Sequence, residues 1–356
     1  MKIRAAVLRR FNKPLEMEES EISPLKEGEI LIEIGAAGVC GSDVHMWRGK
    51  DPRLSLPLIL GHEGIGIIAD IKGKKEDILG EGLRIGDLIT WDRGVTCGNC
   101  YFCTVKKEPS LCLFRQVYGI TRNGCYRSHL TLSAPTKVLK IKTQIEPAVL
   151  VSASCSGATA AHAVELCRIK EADTVLIQGP GPLGLFSLAF ALEQGASKVF
   201  VSGTGADKKR LLLAREFGAT EIINVEDKSS KEIGEFIKEE TNGLGVDTVI
   251  DTTGSPQALE NGLRLTAAGG TYALPGIATP VGKIPISFYE DVSRKNVRIQ
   301  GVWVSDTSHF YQAVKIILKN KYPFAKMITH TLPLAEATKA LELIEDRQAI
   351  KAILIP

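Results

Sequence analysis

Apolar and polar positions along this chain follow two rhythms, and the change comes at residue 173. Before it, apolar residues come in short runs broken by turn signals. Residues 1–35 read as β-structure, with Glu29-Ile30-Leu31-Ile32-Glu33-Ile34 a strand entered from the turn Lys26-Glu27-Gly28. Ile65-Gly66-Ile67-Ile68 is a glycine-interrupted strand, and Arg84-Ile85-Gly86-Asp87 turns into another, Leu88-Ile89-Thr90. Residues 40–45 open a short helical turn between them. Short strands joined by irregular loops suit a barrel-like β-fold that presents side chains from its turns.

From residue 173 the rhythm becomes regular. Asp173-Thr174-Val175-Leu176-Ile177-Gln178 centres on the apolar run of a buried strand. An apolar helix follows and stops at Gly195, and Lys198-Val199-Phe200-Val201-Ser202 is the next strand. A helix over 207–217 stops at Gly218, and strands follow at 221–225, 246–251, 270–274 and 297–304. This alternation predicts a doubly wound parallel sheet. Helix signals at 310–319 and 334–346 then lead into a strand at 349–355. That tail is too short for a domain and is expected to return to the first one. The predicted domains are 1–155, completed by 305–356, and 156–304.

Composition narrows the classes. The 356 residues are 44% hydrophobic and 24% charged, which is ordinary for a globular chain with a large core. A net charge of +3 without clustering gives no support for nucleic acid as a partner. The segment Met1-Lys2-Ile3-Arg4-Ala5-Ala6-Val7 lacks the apolar core of a signal peptide, and no apolar run reaches the roughly 20 residues that span a bilayer. A cytoplasmic protein without a membrane partner is expected. Eight cysteines are too few for a disulfide scaffold, and in a reducing compartment clustered cysteines point to metal.

Three stretches carry chemistry. Gly38-Val39-Cys40-Gly41-Ser42-Asp43-Val44-His45 is followed by Gly61-His62-Glu63-Gly64. Thiolate and imidazole suit zinc, a catalytic zinc takes three protein ligands, and Cys40 and His62 are candidates for two of them. Ser42 and His45 can carry a proton, and Asp43 can orient His62. Cys97, Cys100 and Cys103, with Cys112 nine residues on, can close a four-thiolate structural site. A redox Cys-x-x-Cys pair would need neither the third nor the fourth cysteine, and a nucleic-acid-binding zinc ribbon would sit in a more basic segment. Cys125 and Cys167 read as buried apolar residues. Gly179-Pro180-Gly181-Pro182-Leu183-Gly184 places G-x-G-x-x-G between a strand and a helix. There the glycines admit a pyrophosphate to the backbone and the helix N-terminus favours its charge. Gly179, Gly181, Leu183 and Gly184 are the predicted cofactor contacts.

With these motifs in hand, the chain resembles the zinc-containing medium-chain alcohol dehydrogenases over essentially its whole length, most closely the polyol and threonine dehydrogenase branch. The resemblance implies an α/β protein with a twisted, GroES-like β-barrel-like catalytic domain and a doubly wound Rossmann domain. It also implies two zinc ions and a homodimer or homotetramer. The third catalytic ligand in that family lies about 24 residues before the glycine loop, which lands on Cys155. Glu146, before Pro147, is the rival, because polyol members carry a Glu-Pro pair in this region. Glu63 is expected behind the metal, and Lys351 at a position where the family places a basic contact to the pyrophosphate. The family's last cysteine interval is usually eight residues and here, from Cys103 to Cys112, is nine. The implied reaction is reversible hydride transfer between an alcohol or polyol and a nicotinamide cofactor, with Ser42 and His45 relaying the proton. Two other readings are a quinone or enone reductase of the zinc-free type, which would lack the Cys40, His62 and Cys155 set, and a non-catalytic NADP-binding protein, which would not need Ser42 and His45.

The cofactor is read from one position. NAD enzymes place an acid about 20 residues after the glycine loop, on the ribose 2′-hydroxyl. Here that position is Gly203, followed by Thr204 and, four and five residues on from Thr204, Lys208 and Lys209. No carboxylate repels a 2′-phosphate at Gly203, and Thr204, Lys208 and Lys209 can contact it, so NADP is expected over NAD. The substrate is expected to be a small alcohol, polyol or carbonyl compound. Trp47, Trp91, Phe114 and Trp303 are equally placed for a pocket or for the core.

Overall fold

The strand Ile30–Val39 is the spine of the first unit in the computed structural model, which describes residues 2–356. Antiparallel partners Glu63–Ile71, His129–Leu132 and Lys351–Ile355 all pair with it. Leu88–Trp91 and Val138–Lys140 extend the sheet on one side, and Ile328–Pro333 extends it beyond Lys351–Ile355. A smaller sheet of Glu16–Glu21, Lys2–Leu8 and Leu58–Ile59 accompanies it. Together these form the GroES-like part of the chain, with Ile30, Ile32, Ile34, Ile89, Trp91 and Leu354 in a shared core.

Register brings three distant segments together. Gly38 lies opposite Glu63, and Val39 opposite Ala352. Cys40, Glu63 and Lys351 therefore meet at one end of the spine. Gly38 is required there, since a Cβ on it would stand 2.2 Å from the Glu63 carboxylate.

Contacts within the chain define two units. Residues up to Cys155, Ser305–Leu318 and Phe324–Pro356 make up one, and Ser156–Val304 with Lys319–Pro323 the other. The second unit is a six-stranded parallel sheet. Its order is Glu221–Asn224, Lys198–Gly203, Thr174–Gln178, Val246–Asp251, Thr266–Leu274 and Arg298–Gly301. This is the doubly wound 3-2-1-4-5-6 arrangement of a Rossmann sheet.

Some elements differ from the sequence pattern. The helix Ser156–Cys167 has no signature in the sequence pattern, because nine of its twelve residues are buried and it shows no amphipathic stripe. The strand expected over 297–304 is only Arg298–Gly301, and the helix expected over 334–346 begins as a 3₁₀ turn, Leu334–Glu336, before Ala337–Glu345. Trp47 and Trp91 are buried in the core of the first unit, whereas Phe114 and Trp303 are exposed.

Candidate functional site

The helix Gly41–Trp47 starts at Cys40, whose extended backbone caps it. Asp43 turns back so that Oδ2 accepts the Cys40 N–H at 2.8 Å, half of a capping box. Its Oδ1 lies 3.1 Å from Nδ1 of His62, with both side chains fully buried. That contact fixes the ring and leaves Nε2 available. Ser42 Oγ is 3.2 Å from Nε2, and the Cys40 and Cys155 sulfurs are 3.9 Å apart. One ligand atom from each of Cys40, His62, Glu63 and Cys155 lies within 4.8 Å of the others.

The spacing fits a metal. Two sulfurs on a tetrahedral zinc, each about 2.3 Å from it, stand about 3.8 Å apart. A disulfide would hold them at about 2 Å. Charge points the same way. Burial lowers the His62 imidazole, but Asp43 and then Cys40 outweigh it and push it up to about 10. The hydrogen bond between the two sulfurs takes Cys40 well below the ordinary thiol range and, with burial, Cys155 well above it. These are protons that a divalent cation displaces on binding.

A second cluster lies in the same unit. Cys97, Cys100, Cys103 and Cys112 each offer a sulfur within 4.8 Å of the rest. The Cys100 and Cys103 sulfurs are 3.6 Å apart and those of Cys97 and Cys112 3.5 Å, again metal spacings. The Leu113 backbone N–H holds the Cys100 thiol down at about 6, which suits a thiolate ligand. The 3₁₀ turn Pro109–Leu111 leads into Cys112, and its Pro109 carbonyl accepts the Cys112 N–H at 3.0 Å.

In the second unit, Gly179 has φ +97°, which favours glycine. A Cβ on Gly184 would stand 1.9 Å from the Gly179 oxygen, so helix Pro182–Glu193 can pack this close only without one. A Cβ on Gly181 would meet nothing within 4 Å, which leaves open space at the helix N-terminus for a ligand. This loop fits a dinucleotide's pyrophosphate.

Comparison with known proteins completes the picture. The alcohol dehydrogenase GroES-like domain model matches residues 26–143, and the zinc-binding dehydrogenase model matches residues 182–319. The chain is 31% identical to the 5-exo-hydroxycamphor dehydrogenase of Pseudomonas putida, over 99% of this chain and 98% of that one. It belongs to the zinc-containing medium-chain alcohol dehydrogenases. It is thus an oxidoreductase of that family. It is also 28% identical to an L-threonine 3-dehydrogenase of Caldanaerobacter subterraneus, over 99% and 98% of the two chains. The crystal structure of an alcohol dehydrogenase from Thermotoga maritima superposes with a TM-score of 0.96 at 48% identity, covering 100% of each chain.

Within this family fold, the remaining sequence-predicted residues fall as follows. His45 is half-buried one turn along from Ser42 on the same helix, and burial and then Lys50 lower its imidazole. Glu146 is exposed and lies outside the metal cluster. Cys125 and Cys167 are buried, and burial raises both thiols. Thr204 caps the turn Gly205–Asp207 and donates its hydroxyl to Asp207 at 2.9 Å. Lys208 and Lys209 are exposed. Lys351, expected as a basic contact to the pyrophosphate, has a carboxylate partner within the first unit. It is 1% exposed in the first unit, and its Nζ lies 2.7 Å from Glu63 Oε2. The register that places it beside the metal cluster gives its charge to Glu63.

Two residues that sequence reasoning missed stand beside these sites. Arg93 Nη1 donates to the Cys155 sulfur at 2.7 Å. Glu226 Oε2 accepts the Gly205 N–H at 2.9 Å, just past Gly203. Neither lies in a motif. Arg93 is only four residues before Cys97, and that nearness was the one signal available.

Proposed function

We propose that this protein is a zinc-dependent alcohol or polyol dehydrogenase that uses a nicotinamide dinucleotide. The observation that carries the reading is the convergence of Cys40, His62 and Cys155 with Ser42 beside them. These three residues would hold the catalytic zinc, with Glu63 behind, and Cys97, Cys100, Cys103 and Cys112 a structural one. Bound zinc supplies Lewis-acid polarisation of the substrate oxygen. Asp43 holds His62 so that Nε2 faces the ligand position, Ser42 Oγ accepts the hydroxyl proton, and His45 is the next group able to take it. The dinucleotide, held by Gly179, Gly181, Leu183 and Gly184, supplies the hydride acceptor.

NADP is proposed over NAD because Gly203 offers no carboxylate and Lys208 and Lys209 are exposed near it. One observation favours NAD as a second reading: Glu226 places a carboxylate on the Gly205 N–H, where it opposes a 2′-phosphate. The cleanest test is Glu226→Gln. A Gly203→Asp change would also crowd Pro180, whose Cδ lies 2.9 Å from the new Cβ. Removing the Glu226 charge is expected to raise the NADP-to-NAD ratio of kcat/KM about tenfold, the effect of a carboxylate roughly 5 Å in water from a phosphate of nearly two charges. A ratio that does not move would remove Glu226 from cofactor selection. By analogy with the family the oligomer is a homodimer or homotetramer. Eight cysteines without a disulfide suit a cytoplasmic setting. Among the described residues no helix is long and apolar enough to cross a membrane.

The overall reading is tested by reduced-nicotinamide absorbance with NADP and NAD, run separately against simple alcohols, polyols, sugars and hydroxy amino acids. A rise that a zinc chelator abolishes is expected. A chelator-resistant rise in protein stripped of metal would refute zinc dependence.

A further inference from the structure

Arg93 is charged and buried, at 6% exposure, between the strands Leu88–Trp91 and Gly94–Val95. Burying a guanidinium is costly unless it is paired and hydrogen-bonded. The chain holds this one rigidly. Asp92 Oδ1 accepts the Gly94 N–H at 2.8 Å, forming an Asx turn around Arg93, and the Arg93 carbonyl accepts the Tyr118 N–H at 3.1 Å. Asp92 is itself buried and fixed by the Thr307 hydroxyl at 2.9 Å. The backbone on both sides of Arg93 is therefore pinned, and the side chain delivers Nη1 to the Cys155 sulfur.

Cys155 has weaker local support than the other two metal ligands. Cys40 caps a helix and receives the Asp43 interaction at its N–H, and His62 is oriented by Asp43. Cys155 follows the 3₁₀ helix Pro147–Ser154 with φ −121° and ψ −86°, outside helical geometry. Its side chain is aimed not by its own element but by a donor from the turn between two strands.

We propose that Arg93 is a positioning residue for the catalytic metal. Its N–H···S bond would aim the Cys155 sulfur at a bound ion and draw electron density from it. This inference rests on the zinc reading above. A thiolate stripped of such a donor is a stronger electron donor to the metal and is less well aimed. Partners of this kind typically contribute 10–100-fold to metal affinity.

The test uses full-length Arg93→Met beside the unchanged protein, each loaded with zinc and, separately, with cobalt(II). The unchanged protein is expected to hold two metal ions per chain, and one ion or none would sink the zinc reading itself. If two are held, Arg93→Met is expected to lose one of them to a chelator about 10–100-fold more readily, while the lobe ion is retained at the usual rate. Its cobalt–thiolate charge-transfer band is expected to move to lower energy. A band at the same energy with the same rate of metal loss would overturn the role of Arg93 and leave the zinc reading standing. Should Arg93→Met fail to fold, shown by loss of the lobe ion too, Arg93→Gln carries the same two readouts, and the same outcomes support or overturn the role. A residue that only filled space would leave the cobalt band where it is.

Discussion

Cys155→Ser is expected to retain one zinc per chain instead of two and to lose alcohol oxidation by more than about 100-fold. Serine keeps the shape of the side chain but replaces a thiolate by a hydroxyl, a far poorer partner for zinc. Even an outer partner of a metal ligand costs about 10–100-fold when removed, so loss of a ligand sets a higher floor. The four cysteines of the lobe share no contact with Cys155 in the metal cluster, which is why one ion should remain. Zinc per chain and initial rate are measured on the same sample. Full zinc with full turnover would remove Cys155 from the centre and reopen the choice of third ligand.

Lys351→Met is expected to destabilise the first unit by about 3–5 kcal/mol near neutral pH. The reason is not the strength of the Lys351–Glu63 pair, since a buried pair roughly offsets its own desolvation. The cost comes from leaving a carboxylate at 0% exposure without its cation. Burial already raises Glu63 above its ordinary value while Lys351 opposes that rise. Without Lys351 the folded state binds a proton more readily than the unfolded state. Stability then falls as pH rises through the folded value. The deficit should be smaller at pH 5 than at pH 8. Tryptophan fluorescence in urea reports this unit, since Trp47 and Trp91 are buried in its core. Adding Glu63→Gln should recover most of the loss, and a double variant no more stable than Lys351→Met would refute the unpaired-charge explanation.

How much of this was legible in the sequence follows from how local each contact is. The glycine loop was legible because its three glycines answer to a strand before and a helix after, all within a few residues. The lobe cysteines were legible for the same reason, spaced over sixteen positions, from 97 to 112. Cys155 lies in no motif and was reached only by its offset from the glycine loop. Lys351 was legible only as the family's basic contact, because nothing nearby shows that its partner is Glu63, 288 residues away. Glu226 and Arg93 act through register and turns that only the fold brings together. The helix Ser156–Cys167 was hidden by its burial on nearly every side, which erased the periodicity that marks an amphipathic helix.

The central place of Lys351–Ile355 has a consequence for the order of synthesis. Val39 pairs with Ala352, a separation of 352 − 39 = 313 positions, and the whole of the second unit is made in between. The Rossmann strands from Thr174–Gln178 to Arg298–Gly301 have all left the ribosome before Lys351 does. Domains generally fold as units, N-terminal first, as the chain emerges. Here that order is inverted: the later-made unit is complete while the earlier one still waits with the end of its spine, Ala37 to Val39, unpaired on one edge. The nascent first unit thus carries an open strand edge and an uncompensated Glu63 for the longest time of any part of the chain. It is there that a chaperone or an early metal ion would have the most to protect.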